Sequence, residues 1–392
     1  MVIIGPMKRL DRDNYLKKLN KSISRAFVTA LLGPRQCGKT TLARTLTESY
    51  REPFDFYDLE SHLDQRRLQN PEMVLGASEG LVVLDEIQAM PSLFPVLRVL
   101  SDREDTRARF LILGSASPRL VKDASETLAG RVEFVELAGF DLRETGAGST
   151  DPLWLRGGFP RSFLARSEED SLAWREGFIK TFLERDLPQL GISLPAPAMR
   201  RFWTMLAHYH GQLWNASELA RSMGLSDKTV RSWLDILTGA FMVRQLQPWF
   251  ENIKKRQVKS PKIYLTDSGL LHSLLSIHNK RTLLAHPKVG ASWEGFALEQ
   301  FLRVHRPPEA YFWATHNGAE LDLFMLNAGK RYGVEAKFSE APEVTRSMRI
   351  ALKDLALDHL MVLYPGTESF PMDDRITAVP VGQIAEIKSG ID

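Results

Sequence analysis

The chain has almost no cysteine. Its 392 residues include one, Cys37, which excludes an internal disulfide framework and fits a reducing compartment. Long apolar runs are also missing, since none approaches the roughly 20 residues a helix needs to cross a bilayer. The opening Met1-Val2-Ile3-Ile4-Gly5-Pro6 is too short for the apolar core of a signal peptide. A cytoplasmic protein without a membrane partner is therefore expected. Net charge is small, +3 from 51 basic and 48 acidic residues, so any attraction to nucleic acid must come from local patches. Internal repeats and low-complexity tracts are lacking as well. What remains is a globular composition, 44% hydrophobic and 25% charged, in a chain too long for one ordinary core.

The first half alternates short β-branched runs with helical patterns, which predicts an α/β fold with a parallel sheet and crossover helices. Strands are expected at 26–32, 54–58, 81–85, 109–114 and 132–137. Small residues at 145–150 mark a boundary. A helical pattern follows at 174–185, with Pro188 as its breaker, and 194–197 reads as a linker. A helical stretch with a basic, hairpin-like tail runs to about 278, and helix then strands return after Leu284-Ala285-His286-Pro287. The expected domains are 1–150, 151–198, 199–284 and 285–392.

Gly33-Pro34-Arg35-Gln36-Cys37-Gly38-Lys39-Thr40 satisfies G-x-x-x-x-G-K-[ST] between an expected strand and an apolar helical pattern beginning at Thr41. Glycines let backbone N–H groups turn inward around phosphate oxygens, and the following helix presents its positive end to them. Lys39 is expected to reach the β- and γ-phosphates of ATP, and the Thr40 hydroxyl to ligate Mg²⁺. Cys37 within the loop raises the further expectation that thiol modification blocks nucleotide binding. Leu81-Val82-Val83-Leu84-Asp85-Glu86 reads as a strand buried on both faces that ends in two acids. Asp85 is expected to hold the metal through water, and Glu86 to orient or deprotonate the attacking water. Ser115, after the strand at 109–114, is a candidate γ-phosphate sensor. Arg131 is a candidate for stabilising γ-phosphate charge, in cis or across a subunit interface of a homo-oligomer; the alternative is a surface arginine.

These elements, with Asp85-Glu86-Ile87-Gln88, Leu128-Ala129-Gly130-Arg131 and Gly157-Gly158-Phe159-Pro160 in order, resemble a prokaryotic family of AAA-type P-loop ATPases fused to a C-terminal nuclease-like domain, the domain-of-unknown-function 4143 family. The resemblance runs from about residue 7 to 370. It implies an AAA+ parallel-sheet core, a helical lid beginning at Gly157 with Pro160 against the nucleotide base, a winged helix, and a C-terminal nuclease-like fold.

In the middle unit, Ser217-Glu218-Leu219-Ala220 opens a helix with serine near its N-cap, Gly224-Leu225-Ser226 is a turn, and 227–237 is a second helix. This is a helix-turn-helix pattern, with Lys228, Thr229, Arg231 and Ser232 outward, and a wing is expected from 241–246, the basic loop Lys254-Lys255-Arg256 with Lys259 and Lys262, and 263–265. Salt-sensitive DNA contact and a packing module with solvated charges are both open.

Further on, Glu294 sits beside the apolar face of an expected helix. Strands at 318–326 and 331–337 flank a Gly329-Lys330 turn. Period-2 alternation puts Glu335 and Lys337 on one face, where Asp322 of the paired strand can meet them. An acid followed by Glu-x-Lys, with a helical acid upstream, has the layout of PD-(D/E)xK nucleases. Asp322, Glu335 and Glu294 are expected to ligate Mg²⁺, and Lys337 to position water or stabilise developing charge. Trp313-Ala314-Thr315 departs from the family that the chain resembles, with alanine where an arginine is expected in relatives. Two functions are open: ATP-driven processing of DNA, including branched or single-stranded forms, with metal-dependent cleavage; or a nucleotide-switched regulator whose C-terminal modules bind DNA or a protein without cutting.

Overall fold

The five apolar runs of the first half become five parallel strands. They are β1 (Val28–Gly33), β2 (Phe54–Asp58), β3 (Glu79–Asp85), β4 (Arg107–Ser115) and β5 (Val132–Glu136), in the order β2-β3-β4-β1-β5. The computed structural model describes residues 10–115, 124–189, 192, 194–250 and 259–387. Central strands β1, β3 and β4 are buried along most of their length, as strands covered on both faces must be. Val82, Leu84, Phe110 and Ile112 pack with Leu93, Leu97 and Leu100 of the helix Leu93–Ser101. The carboxyl ends of β1, β3 and β4 therefore carry Gly33, Asp85 and Ser115.

By internal contacts the chain divides into two units, one within Arg9–Gly139 with Gly239–Phe241, the other Phe140–Thr238 with Met242–Asp392. The expected lid, helix-turn-helix and C-terminal segments thus share the second unit. Its lid segment contains the helices Thr150–Arg156 and Glu168–Thr181. Ser167 caps the latter by accepting from Asp170 N at 3.0 Å, and three acids fill the first turn. The expected stop at Pro188 is displaced: a π-helical turn, Phe182–Asp186, leads into Leu187–Gln189 with Pro188 inside it. The segment read as a linker already contains the start of the helix Ala196–His208, whose first turn tolerates Pro197.

The helix-turn-helix is Ala216–Met223 and Asp227–Gly239, joined through Gly224 at φ +69°. Asn215, not Ser217, caps the first helix, accepting from Glu218 N at 3.3 Å. Ser217 Oγ instead bonds Asp227, 2.5 Å away. Strands β6 (Gln212–Leu213), β7 (Val243–Leu246) and β8 (Lys262–Leu265) form an antiparallel sheet in the order β6-β8-β7. The expected basic loop Lys254-Lys255-Arg256 lies outside the described residues.

The last sheet has the order β13-β14-β12-β11-β10-β9, with β9 (Ala310–Ala314), β10 (Glu320–Asn327), β11 (Lys330–Ala336), β12 (His359–Tyr364), β13 (Phe370–Asp373) and β14 (Ile376–Pro380). The β10–β11 turn is Ala328-Gly329, both at positive φ (+48° and +78°), so it sits one residue earlier than the sequence suggests. Two positive φ values match the right-handed twist of the strands they join. The small and large sheets are tied along one edge: Phe312 N donates to Gln247 O (3.0 Å) and Trp249 N to Phe312 O (2.7 Å). That tie fixes where β8 lies relative to β10.

Candidate functional site

The P-loop has its expected setting, between β1 and the helix Lys39–Glu48, with Gly38 at φ +99° as the N-cap. Gln36 also adopts a left-handed conformation, φ +62°. A side chain at Gly33 would place its Cβ 2.1 Å from Leu137 O, so only glycine fits where the strand turns into the loop. Lys39 is 5% exposed, and its Nζ donates to Gly33 O (3.0 Å) and Pro34 O (2.9 Å). The ammonium is thus held inside the loop by neutral carbonyls, which a phosphate would outcompete by charge.

Asp85 is 4% exposed, accepts from Glu86 N at 3.0 Å, and lies beside the Thr40 side chain. Burial pushes the Asp85 carboxyl upward, opposed by the neighbouring Thr40 hydroxyl and Lys39 ammonium. Glu86 stands just beyond the strand at φ +55°, a costly conformation for a residue with a side chain, and its carboxylate accepts from Gln88 Nε2. Ser115 is 3% exposed, pairs in register with Gly33, and its Oγ has no hydrogen-bond partner among the described residues. A buried unpaired hydroxyl costs about 1–3 kcal/mol, and a γ-phosphate oxygen would relieve it. Lys39, Thr40, Asp85 and Ser115 therefore fit a nucleoside triphosphate with Mg²⁺.

Other loop residues have protein contacts or face solvent. Cys37 is fully buried with Sγ 3.5 Å from Leu137 O, where the thiol fills space behind the loop. Arg35 pairs with Glu60 at 3.2 Å, and Thr41 faces solvent. Arg12 was not legible in the sequence: its guanidinium donates to Cys37 O (3.1 Å) and Ala138 O (3.1 Å), clamping the loop from 25 and 126 residues away. Arg131 is half-exposed and engaged by Asp102, with Nε and Nη2 donating at 2.7 and 3.0 Å. Pro160 occupies the first position of the short helix Pro160–Phe163. The preceding glycines pack on the helix Ser268–Leu274: Asp267 accepts from Gly158 N at 2.8 Å, and a Cβ on Gly157 would lie 2.1 Å from Asp267 Oδ1.

A second polar centre lies in the other unit. As the alternation implies, Asp322 of β10 meets β11, accepting from Ala336 N at 3.0 Å, while Asp322 N donates to Glu335 Oε2 at 3.4 Å. Lys337 Nζ donates to Glu335 Oε1 at 2.7 Å. Glu294 comes from the helix Val289–His305. The centre's main cation is a lysine expected in the basic wing, and the structure buries it among acids instead. Lys262, the first residue of β8, places Nζ 3.3 Å from Asp322 Oδ1, 3.4 Å from Glu294 Oε1 and 3.8 Å from Glu320 Oε2. Its side chain is 4% exposed. Tyr264, two residues on and so on the same face of β8, donates its hydroxyl to Glu294 Oε1 at 2.6 Å.

Burial, with Asp322 adding repulsion, pushes Glu294 up to about 7 and Glu335 to about 8. Burial opposes the charge on Lys262, but the surrounding oxygens outweigh it and hold the ammonium protonated. The three acids expected to share Mg²⁺ are thus divided between two ammonium groups. No group of three or more His, Cys, Asp or Glu among the described residues is placed to hold a metal ion. The residues present do not fit a divalent ion as they stand.

A relay holds the lid segment to the helix Val289–His305. Trp154 Nε1 donates to Ser292 Oγ (3.0 Å), which lies 2.7 Å from His272 Nε2, while His272 Nδ1 is 3.0 Å from Leu155 O. Burial drives His272 down to about 3, so the ring is neutral. One consistent tautomer then has Nδ1–H donating to Leu155 O and Nε2 accepting from Ser292.

The parallel sheet, P-loop and acid-tipped β3 define a P-loop NTPase of the AAA type. Residues 25–146 match the AAA domain family, 149–281 a domain of unknown function (DUF8612), and 289–384 a domain of unknown function (DUF4143). Two curated relatives, the uncharacterized proteins Rv2008c of Mycobacterium tuberculosis and Mb2031c of Mycobacterium bovis, are each 54% identical over 375 residues, spanning 96% of this chain and 85% of theirs. The chain belongs to their family, AAA-domain P-loop proteins with a C-terminal DUF4143 domain. The Walker-type ATPase paby2304 of Pyrococcus abyssi shares the fold, with a TM-score of 0.52 at 16% identity over 70% of this chain and 99% of that one. Among the described residues, no helix is long and apolar enough to cross a membrane.

Proposed function

We propose that this protein hydrolyses ATP and uses the nucleotide cycle to switch a second unit that binds DNA without cutting it. The observation that carries the ATPase reading is Lys39 buried on its own loop's carbonyls, with buried Asp85 at the tip of β3, at the carboxyl ends of parallel strands. ATP would draw Lys39 onto its β- and γ-phosphates. Mg²⁺, held by Thr40 and through water by Asp85, would supply charge neutralisation there. Glu86 then takes the proton of the attacking water, and Ser115 donates to the γ-phosphate. Arg131 contributes only if released from Asp102, in cis or at a neighbouring subunit's nucleotide.

Exposed Lys228, Arg231 and Ser232 on the second helix of the helix-turn-helix support DNA as the ligand. Each cation that meets a phosphate contributes close to one unit of salt slope. Fluorescence anisotropy with duplex, single-stranded and branched DNA, across a salt series, tests this. Lys228→Ala and Arg231→Ala should each lower the slope of log K against log salt by about 1. Wild-type protein that binds ATP but none of these DNAs would contradict the proposal and make the second unit's ligand a protein. The cleaving alternative loses support because a lysine, not an open metal site, sits among the acids.

A further inference from the structure

We infer that Lys262 is the resident cation of the C-terminal carboxylate centre, so that docking of the small sheet and binding of a divalent ion there are mutually exclusive. The centre has the acids of a metal site, and an ammonium occupies the position between two of them, 3.3 Å from Asp322 and 3.4 Å from Glu294. A cation-sized space contacted by acids from different elements is what a divalent ion requires. Here it is filled from β8, in a different sheet from Asp322.

Four features show a built arrangement. Lys262 is nearly fully buried, so it is not a surface lysine that happened to swing inward. It is flanked by Tyr264, whose hydroxyl satisfies the Glu294 oxygen that also faces the ammonium. Its backbone is pinned on both sides: β8 pairs with β6 through Leu213↔Lys262 and with β7 through Leu246↔Lys262. Just beyond β7, Gln247 and Trp249 bond the edge strand β9. Lys262 is therefore delivered to the acids by main-chain hydrogen bonds rather than by side-chain chance.

The remaining acid is also taken, since Glu335 is held by Lys337 at 2.7 Å. With two ammonium groups distributed among Glu294, Asp322 and Glu335, a dication would enter a space already faced by two cations. It would also have to displace a cation tethered by the fold. Removing Lys262 leaves Glu294 and Asp322 facing each other across the space it vacated, which favours a hard divalent ion.

Isothermal titration calorimetry of full-length, nucleotide-free protein with Mn²⁺ tests the inference without recourse to any activity. Wild type should show no Asp322-dependent Mn²⁺ binding. Lys262→Ala should gain one Mn²⁺ per chain, and Lys262→Ala/Asp322→Asn should lose it again. Lys262→Arg, which keeps the cation, should behave as wild type. If the alanine variant does not fold, Lys262→Met preserves the packing of the stem and should gain the same ion. Mn²⁺ binding in wild type that Asp322→Asn abolishes would overturn the inference. So would folded Lys262→Ala or Lys262→Met protein that gains no Asp322-dependent ion.

Discussion

Glu86→Gln should lower the turnover of ATP by about a hundredfold or more while leaving ATP affinity close to that of wild type, because a positioned general base is worth roughly 10²–10⁴ in rate. The split follows from position. Lys39 and the loop amides, proposed to grip phosphate, lie at the end of β1, whereas Glu86 stands past the end of β3 and belongs to no part of the loop. The backbone at Glu86 is left-handed at φ +55°, and Gln88 holds its carboxylate. Glutamine keeps the size and the tilt of the side chain but cannot accept the proton of water. Fluorescent-nucleotide titration and steady-state phosphate release check the two halves separately. Equal loss of affinity and turnover would assign Glu86 to binding instead.

Gly295→Ala should destabilise the second unit by about 3 kcal/mol, at the upper end of the cost of overpacking a filled core. A Cβ at this position would meet His210 Nε2 at 2.0 Å. The ring cannot retreat easily: it is 2% exposed, its Nδ1 accepts from Leu265 N at 3.0 Å, and its edge abuts Tyr264 with centroids 5.4 Å apart. Burial holds His210 neutral, with its pKa pushed down to about 3. The control lies in the same helix. Nothing is within 4 Å of a Cβ on Gly290, so Gly290→Ala should be neutral or stabilising by a few tenths to about 1 kcal/mol. Thermal melts of both variants decide it. Equal melting points for the two would mean that His210 shifts at no cost.

The nucleotide site was legible because its parts are contiguous. Residues 33–40 form one uninterrupted motif, and a run of four apolar residues announces β3 with Asp85 at its tip. Period 2 likewise put Asp322, Glu335 and Lys337 together correctly, since a hairpin couples residues near in sequence. Strand bounds at 54–58 matched, while the caps did not. Asn215 took the capping role expected near Ser217, because several polar residues in a row can each begin a helix and only the backbone path selects one.

Lys262, expected in a solvated basic wing, and Arg12, for which the sequence gives no signal, were not legible for another reason. Lys262 lies 60 residues from Asp322, and Arg12 lies 126 from Ala138. Their partners are chosen by how sheets and helices dock, which local pattern does not encode. A lysine opening a short strand reads as solvated until the facing sheet supplies acids. The Gly-Gly-Phe-Pro element shows the same limit. Its glycines are needed for close approach to Asp267 and the helix Ser268–Leu274, a contact made more than a hundred residues along the chain.

Phosphate release from ATP and Mg²⁺ by the full-length protein, with Lys39→Ala measured beside it, tests the central claim most directly. The account predicts steady turnover in wild type that is lost in Lys39→Ala, with or without DNA. Folded wild-type protein that releases no phosphate in either condition, or Lys39→Ala that matches wild type, would contradict it.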